Sequence, residues 1–152
     1  MLDNQKLPDF TLPRDGGSTV SLSDFAGKKL VLFLYPKDDT QGCTVESIAF
    51  SKAQSEFAAA GAEILGLSKD SVASHDKFVA KHDLTVPLIS DESGALIEAL
   101  GAWIEKNNFG KKYMGIDRST FLIDGDGIIR KSWRKVKVSG HVEEVLKAVK
   151  SL

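Results

Sequence analysis

KKLVLFLYPKDDTQGCTVESIAFSKAQSEFAAAGAEILGLS, residues 28–68, carries the reading of the fold. Lys28–Tyr35 is a nearly continuous apolar run closed by Gly27 and Pro36, the pattern of a strand covered on both faces. From about Gly42 to Ala60 the period changes to that of a helix. Phe50, Ala53, Phe57 and Ala60 share one side, and Gly61 is a natural stop. Ala62–Ser68 is again a short apolar run, a second buried strand.

Working outward, Val72–His82 predicts a surface helix with Phe78 and Val79 on its apolar side and Lys77, Lys81 and His82 facing water. A short strand is expected over Leu84–Ile89 and a short helix over Gly94–Leu100. Asp124–Gly127 reads as the turn of a hairpin joining Thr120–Ile123 to Ile128–Trp133. A last helix, from about Gly140 to Ser151, buries Val142, Val145, Leu146 and Val149. No repeat or linker interrupts the chain, so residues 1–152 are expected to form one domain. The order β-α-β-α, hairpin, helix is that of an α/β protein with a thioredoxin-like fold: a central mixed β-sheet flanked by helices on both faces.

The 152 residues suffice for a sizeable core. The net charge of −1 gives no global reason to expect nucleic acid or an anionic membrane as partner. The basic stretch Arg130, Lys131, Arg134, Lys135 and Lys137 lacks aromatic stacking residues and reads as a solvated strand edge. Met1–Phe10 has no basic region followed by an apolar core, and no run approaches the ~18–20 residues of a membrane span. A cytoplasmic protein is expected.

There is one cysteine, Cys43. It can form no disulfide within the chain and no four-cysteine zinc site, so it is either an inert core residue or a reactive group. Its place favours reactivity. Cys43 opens the first long helix, where free N–H groups favour an anion such as a thiolate. Gly42 permits close approach to the backbone. Thr40 can turn its hydroxyl toward the sulfur or a bound oxygen, or serve as an ordinary N-cap. Pro36 shapes the turn and removes a donor. Asp38 and Asp39 are read as complements to the helix N-terminus. Trp103 and Phe109 are assigned by default to core packing, with a place near the mouth of the Cys43 site as the alternative.

Pro36-x-x-x-Thr40-x-x-Cys43 resembles the active-site signature of peroxiredoxins, and YPKDDTQGCTVE resembles the bacterioferritin-comigratory, or Q-type, branch. The resemblance runs through LPDFTLP (residues 7–13), GLSKDS, PLISD, GKKYMGIDRSTFLID and WRKVKVSGH, with Arg118 inside RSTFLID. It implies a thiol peroxidase that reduces hydrogen peroxide and organic hydroperoxides, without cofactor or metal. Cys43 would be the nucleophile and pass through a sulfenic acid. Arg118 would be a fixed cation at the sulfur, Thr40 and the Cys43 N–H would orient the peroxide, and Pro36 would limit water. Glu46 matches a glutamate of this branch and would either orient Arg118 or complement the helix dipole.

The chain departs from the branch in three places. Ile48 and Val79 stand where relatives carry a resolving cysteine, and Gln41 stands where proline is frequent. The sulfenic acid must therefore be reduced by an outside thiol: thioredoxin, glutaredoxin or a small thiol. The resemblance further implies a monomer, or at most a weak dimer.

Three other functions compete. A redox sensor would pass oxidation from Cys43 to a partner protein. A two-thiol disulfide reductase is opposed by the absence of C-x-x-C. A cysteine hydrolase needs a histidine base. His75 and His82 read as exposed helix positions, and His141 as the start of the last helix.

Overall fold

The computed structural model describes residues 3–152. Met1 and Leu2, part of the stretch read for a leader, lie outside them. Five strands form the central sheet: β3 (Lys29–Leu34), β4 (Ala62–Ser68), β5 (Leu88–Ser90), β8 (Ser119–Ile123) and β9 (Ile129–Trp133), in the order β5-β4-β3-β8-β9. Strands β3, β4 and β5 are parallel, β8 pairs antiparallel with β3, and β9 pairs antiparallel with β8. Helix α1 (Gln41–Ala59) connects β3 to β4, and α2 (Val72–His82) connects β4 to β5. Helices α3 (Ala95–Ala99) and α4 (His141–Ser151) complete the helical set. The mixed sheet covered by helices is the expected thioredoxin-like architecture.

Strand β3 shows why an unbroken apolar run was needed. Leu30, Leu32 and Leu34 enter one core with Leu96, Ile97 and Leu100 around α3. Val31, Phe33 and Tyr35 enter the other with Phe50 and Phe57 of α1, Phe78 of α2 and Val145 of α4. Successive side chains leave a strand on opposite faces, so burial on both leaves no polar position between. Phe33 stacks on Phe50 with ring centroids 4.5 Å apart; truncating either ring to alanine is expected to cost about 3–5 kcal/mol. Beside them Gly66 cannot be enlarged: a Cβ would lie 2.7 Å from Leu88 Cδ2 and 2.9 Å from Phe33 Cζ.

Other elements differ from expectation. The strand expected over Leu84–Ile89 begins only at Leu88, because Pro87 cannot donate to a ladder. Two hairpins were not foreseen: β1 (Thr11–Pro13) with β2 (Thr19–Ser21), and β6 (Trp103–Asn108) with β7 (Lys111–Ile116). Phe109, assigned to the core, sits fully exposed in the β6–β7 turn at φ 54°. Trp103 does pack against the core, with Lys69 Nζ 4.2 Å from its ring centroid. Strand β9 is an edge of the sheet, with Arg130 and Lys131 exposed on it. Among the described residues no helix is long and apolar enough to cross a membrane.

Candidate functional site

Parallel strands β3 and β4 send α1 away from the carboxyl end of β3, and the chain reaches that helix through Pro36–Thr40. Thr40 is the N-cap, with extended backbone at φ −86° and ψ 156°. Cys43 is then the third helical residue, and its N–H belongs to the first turn, whose donors have no intrahelical acceptor. On the other side of β3, Ser119 pairs with Leu34. This register sets Arg118, one residue before β8, beside the same end of the sheet. Its backbone is fixed there by Val136 N donating to Arg118 O at 2.9 Å.

The guanidinium bridges two side chains of α1. Nη2 donates to Cys43 Sγ at 3.1 Å, and Nη1 donates to Glu46 Oε1 at 2.7 Å. Arginine has only donors to offer, so the sulfur is the acceptor in this contact. Cys43 and Glu46 are three residues apart and therefore share a helix face, which lets one planar group meet both. Gly42 makes room: a Cβ there would stand 3.2 Å from Arg118 Nη2. Close approach, and not an unusual backbone angle, is what this glycine supplies.

Electrostatically the cluster is tight. Burial pushes the Glu46 carboxyl up to about 7, against the pull of the Arg118 charge and hydrogen bond. Its second oxygen, Oε2, is buried without a hydrogen-bond partner. Burial works to lower the Arg118 guanidinium, but Glu46 and Cys43 together hold it above its ordinary value. A second cation, Lys106 of β6, was not singled out from sequence. Burial draws it down and Asp117 raises it; Arg118 and then Cys43 act on it in turn, and the net result lies below the usual lysine range.

The arrangement modifies three expectations. Thr40 does not point its hydroxyl proton at the sulfur, and although it holds the N-cap position its side chain makes no capping hydrogen bond to α1; Oγ1 donates to Lys37 O at 2.8 Å. Cys43 is fully buried, whereas Thr40 is exposed and Pro36 and the Arg118 side chain are partly so. Asp38 does not complement α1; its carboxylate meets His75 of α2 at 2.7 Å. His75, read as exposed, is completely buried. His82 is partly buried and pairs with Asp39 at 2.9 Å, and His141 meets Thr120 at 2.8 Å. Ile48 and Val79, where by resemblance relatives of this branch carry a resolving cysteine, both pack against the core that contains Cys43.

Residues 4–132 match the model of the AhpC/TSA family. A putative peroxiredoxin bcp of Coxiella burnetii is 51% identical over 142 residues, 93% of this chain and 94% of that protein. Peroxiredoxin Bcp of Bacillus subtilis is 51% identical over 148 residues, 97% and 94% of the two chains. A solved structure of Xanthomonas campestris peroxiredoxin Q superposes with a TM-score of 0.89 at 48% identity, covering 93% of this chain and 90% of that one. A strand-to-helix cysteine under an arginine and sequence identity sustained along almost the whole length lead to one assignment: the chain belongs to the AhpC/TSA family, in the Bcp or Q-type branch of the peroxiredoxins, and is a thiol peroxidase with a single cysteine.

Proposed function

We propose that Cys43 is the peroxidatic nucleophile, activated by Arg118 and oriented by Thr40, Pro36 and Gly42. The Cys43 thiolate attacks one oxygen of a hydroperoxide. The S–O bond forms as the O–O bond breaks, and the electron pair leaves on the second oxygen as hydroxide or alkoxide, which takes up a proton. Sulfur is oxidised to a sulfenic acid and the peroxide is reduced to water or alcohol. Guanidinium N–H groups already aimed at the sulfur lie close to where negative charge grows, and such preorganised donors lower the barrier most. Glu46 holds the plane of the guanidinium. The Thr40 lone pairs accept from a peroxide O–H, and the free N–H of Cys43 donates to peroxide oxygen. Pro36 restricts water.

Hydrogen peroxide and organic hydroperoxides are the proposed substrates. With no second thiol in the chain, an external thiol attacks the sulfenic acid, expelling water and leaving a mixed disulfide. A further thiol releases Cys43. Thioredoxin, glutaredoxin or a small thiol is the proposed reductant, and a cytoplasmic monomer, at most weakly dimeric, the proposed working form. The observation that carries this reading is the 3.1 Å contact between Arg118 Nη2 and Cys43 Sγ.

One equivalent of hydrogen peroxide, added without thiol, should add a single oxygen atom at the Cys43 peptide and no cross-link. Added dithiothreitol, thioredoxin or glutaredoxin should then support many cycles of peroxide consumption, with the fastest naming the reductant. A single stoichiometric burst with every reductant would contradict the proposed cycle.

A further inference from the structure

Below the loop that carries Pro36 and Thr40 lies a buried polar network that the reaction described above does not use. Asp38 Oδ1 accepts from the Tyr35 hydroxyl at 2.6 Å. Asp38 Oδ2 accepts from Ser74 Oγ at 2.9 Å and contacts His75 Nδ1 at 2.7 Å. The other ring nitrogen, His75 Nε2, faces the carbonyl oxygen of Ile89 at 3.0 Å. The Asp38 N–H donates to Asp70 Oδ2 at 2.8 Å, and the same oxygen accepts from Ser68 Oγ at 2.8 Å. Tyr35 and His75 are fully buried, and Asp38 nearly so.

Both partners of the His75 ring are acceptors, so the geometry calls for an N–H on each nitrogen: an imidazolium facing a carboxylate. A neutral ring would set a lone pair against either the Asp38 carboxylate or the Ile89 carbonyl. A buried polar group left in that state is costly. Asp38 itself lies two residues after Pro36 and two before Thr40. The next residue, Asp39, is tied to the same helix by Lys81 at 2.7 Å and His82 at 2.9 Å, with its backbone at φ 60°. The loop beside a fully buried sulfur is thus fastened to α2 rather than to α1.

We propose that Asp38 is a positioning residue of the peroxidase reaction, clamped by His75, Tyr35 and Ser74 of its surroundings so that Pro36 and Thr40 are held in register with Cys43. The inference rests on the assignment of Cys43 as nucleophile. The groups facing His75 are Asp38 from the loop, Asp70 from just after β4, Tyr35 from just after β3 through Asp38, and only the Ile89 carbonyl from β5. Burial works to lower His75, but the Asp38 hydrogen bond and charge, the Ile89 carbonyl and Asp70 outweigh it and raise it. Burial, then Asp38, keeps the Tyr35 phenol well above its ordinary value, so it remains a donor. A raised imidazolium keeps the clamp closed below the folded-state value and opens it as pH rises through that value.

The test compares wild type with His75→Asn and Tyr35→Phe, measuring kcat/KM for hydrogen peroxide against pH and the alkylation rate of Cys43 by iodoacetamide. Both variants should lose about 10-fold in kcat/KM while Cys43 alkylates faster, since loosening the loop exposes the sulfur and misplaces Thr40. Wild type should show a decline in kcat/KM as pH rises through the His75 value, and His75→Asn should lose it. Unchanged kcat/KM in both variants, or peroxide and alkylation rates falling together, overturns the clamp. If His75→Asn does not fold, Tyr35→Phe decides alone. Failure of the underlying assignment has a separate signature: peroxide would leave wild-type Cys43 unoxidised.

Discussion

Arg118 Nη2 lies 3.1 Å from Cys43 Sγ, and the other arm of the same guanidinium is held 2.7 Å from Glu46 Oε1. One rigid fork therefore serves two acceptors on one helix face. A lysine ammonium is a point charge without that fork and cannot satisfy both in the same way. Arg118→Ala is expected to lower kcat/KM for hydrogen peroxide by about 10²-fold, the scale of losing one transition-state donor. Arg118→Lys should recover only a small part. A loss below threefold in the alanine variant, measured by peroxide consumption, would remove Arg118 from the reaction.

Gly42→Ala separates activity from stability. The added methyl would stand 3.2 Å from Arg118 Nη2, displacing a guanidinium fixed at both ends. Alanine is otherwise favoured over glycine in helical backbone, by up to about 1 kcal/mol at interior positions. The expected outcome is a kcat/KM lowered about 10-fold with a melting temperature equal to or above that of wild type. Lower stability with unchanged activity would contradict it.

Glu46 makes a stability prediction with a definite sign. Its carboxyl titrates near 7 in the fold against an ordinary 4.5, so between those values the folded state binds more protons than the unfolded one. Its contribution is complete below 4.5 and is lost as pH rises through about 7. Glu46→Gln removes this dependence while retaining an acceptor for Arg118. In urea unfolding at pH 5 and pH 8, wild type should therefore lose more stability between the two than Glu46→Gln does, by on the order of 2 kcal/mol. Parallel behaviour of the two proteins would exclude the raised carboxyl.

Much of the central fold was legible because its residues obey strict patterns. Leu30–Tyr35 is buried on both faces and so has no polar position to blur it. Val72–His82 shows a helix through Phe78 and Val79 on one side and Lys77, Lys81 and His82 on the other. Asp-Gly turns announce β8 and β9. The β6–β7 hairpin was hidden for the opposite reason. Glu105, Asn107, Asn108, Lys111 and Lys112 are exposed, so alternation is weak. The positive-φ pair at its turn is Phe109-Gly110 rather than an Asn-Gly signal.

At the site, Cys43, Thr40 and Pro36 were visible as a local motif. Arg118 was visible only through resemblance, since 75 residues separate it from the sulfur it touches. Glu46 was left between two roles, and its contact with Arg118 favours the orienting one. His75 was missed although Phe78, three residues on, shares its helix face and points to the core. A lone histidine beside lysines resembles a solvated face until its carboxylate partner, Asp38 on another element, is placed against it.

The most direct measurement is peroxide consumption by Cys43→Ser beside wild type, with excess dithiothreitol and with matched folding verified by circular dichroism. The serine variant should show no consumption above the thiol-only background, while wild type turns over many times. Sustained peroxide reduction by the serine variant would contradict the assignment of the reaction to this sulfur.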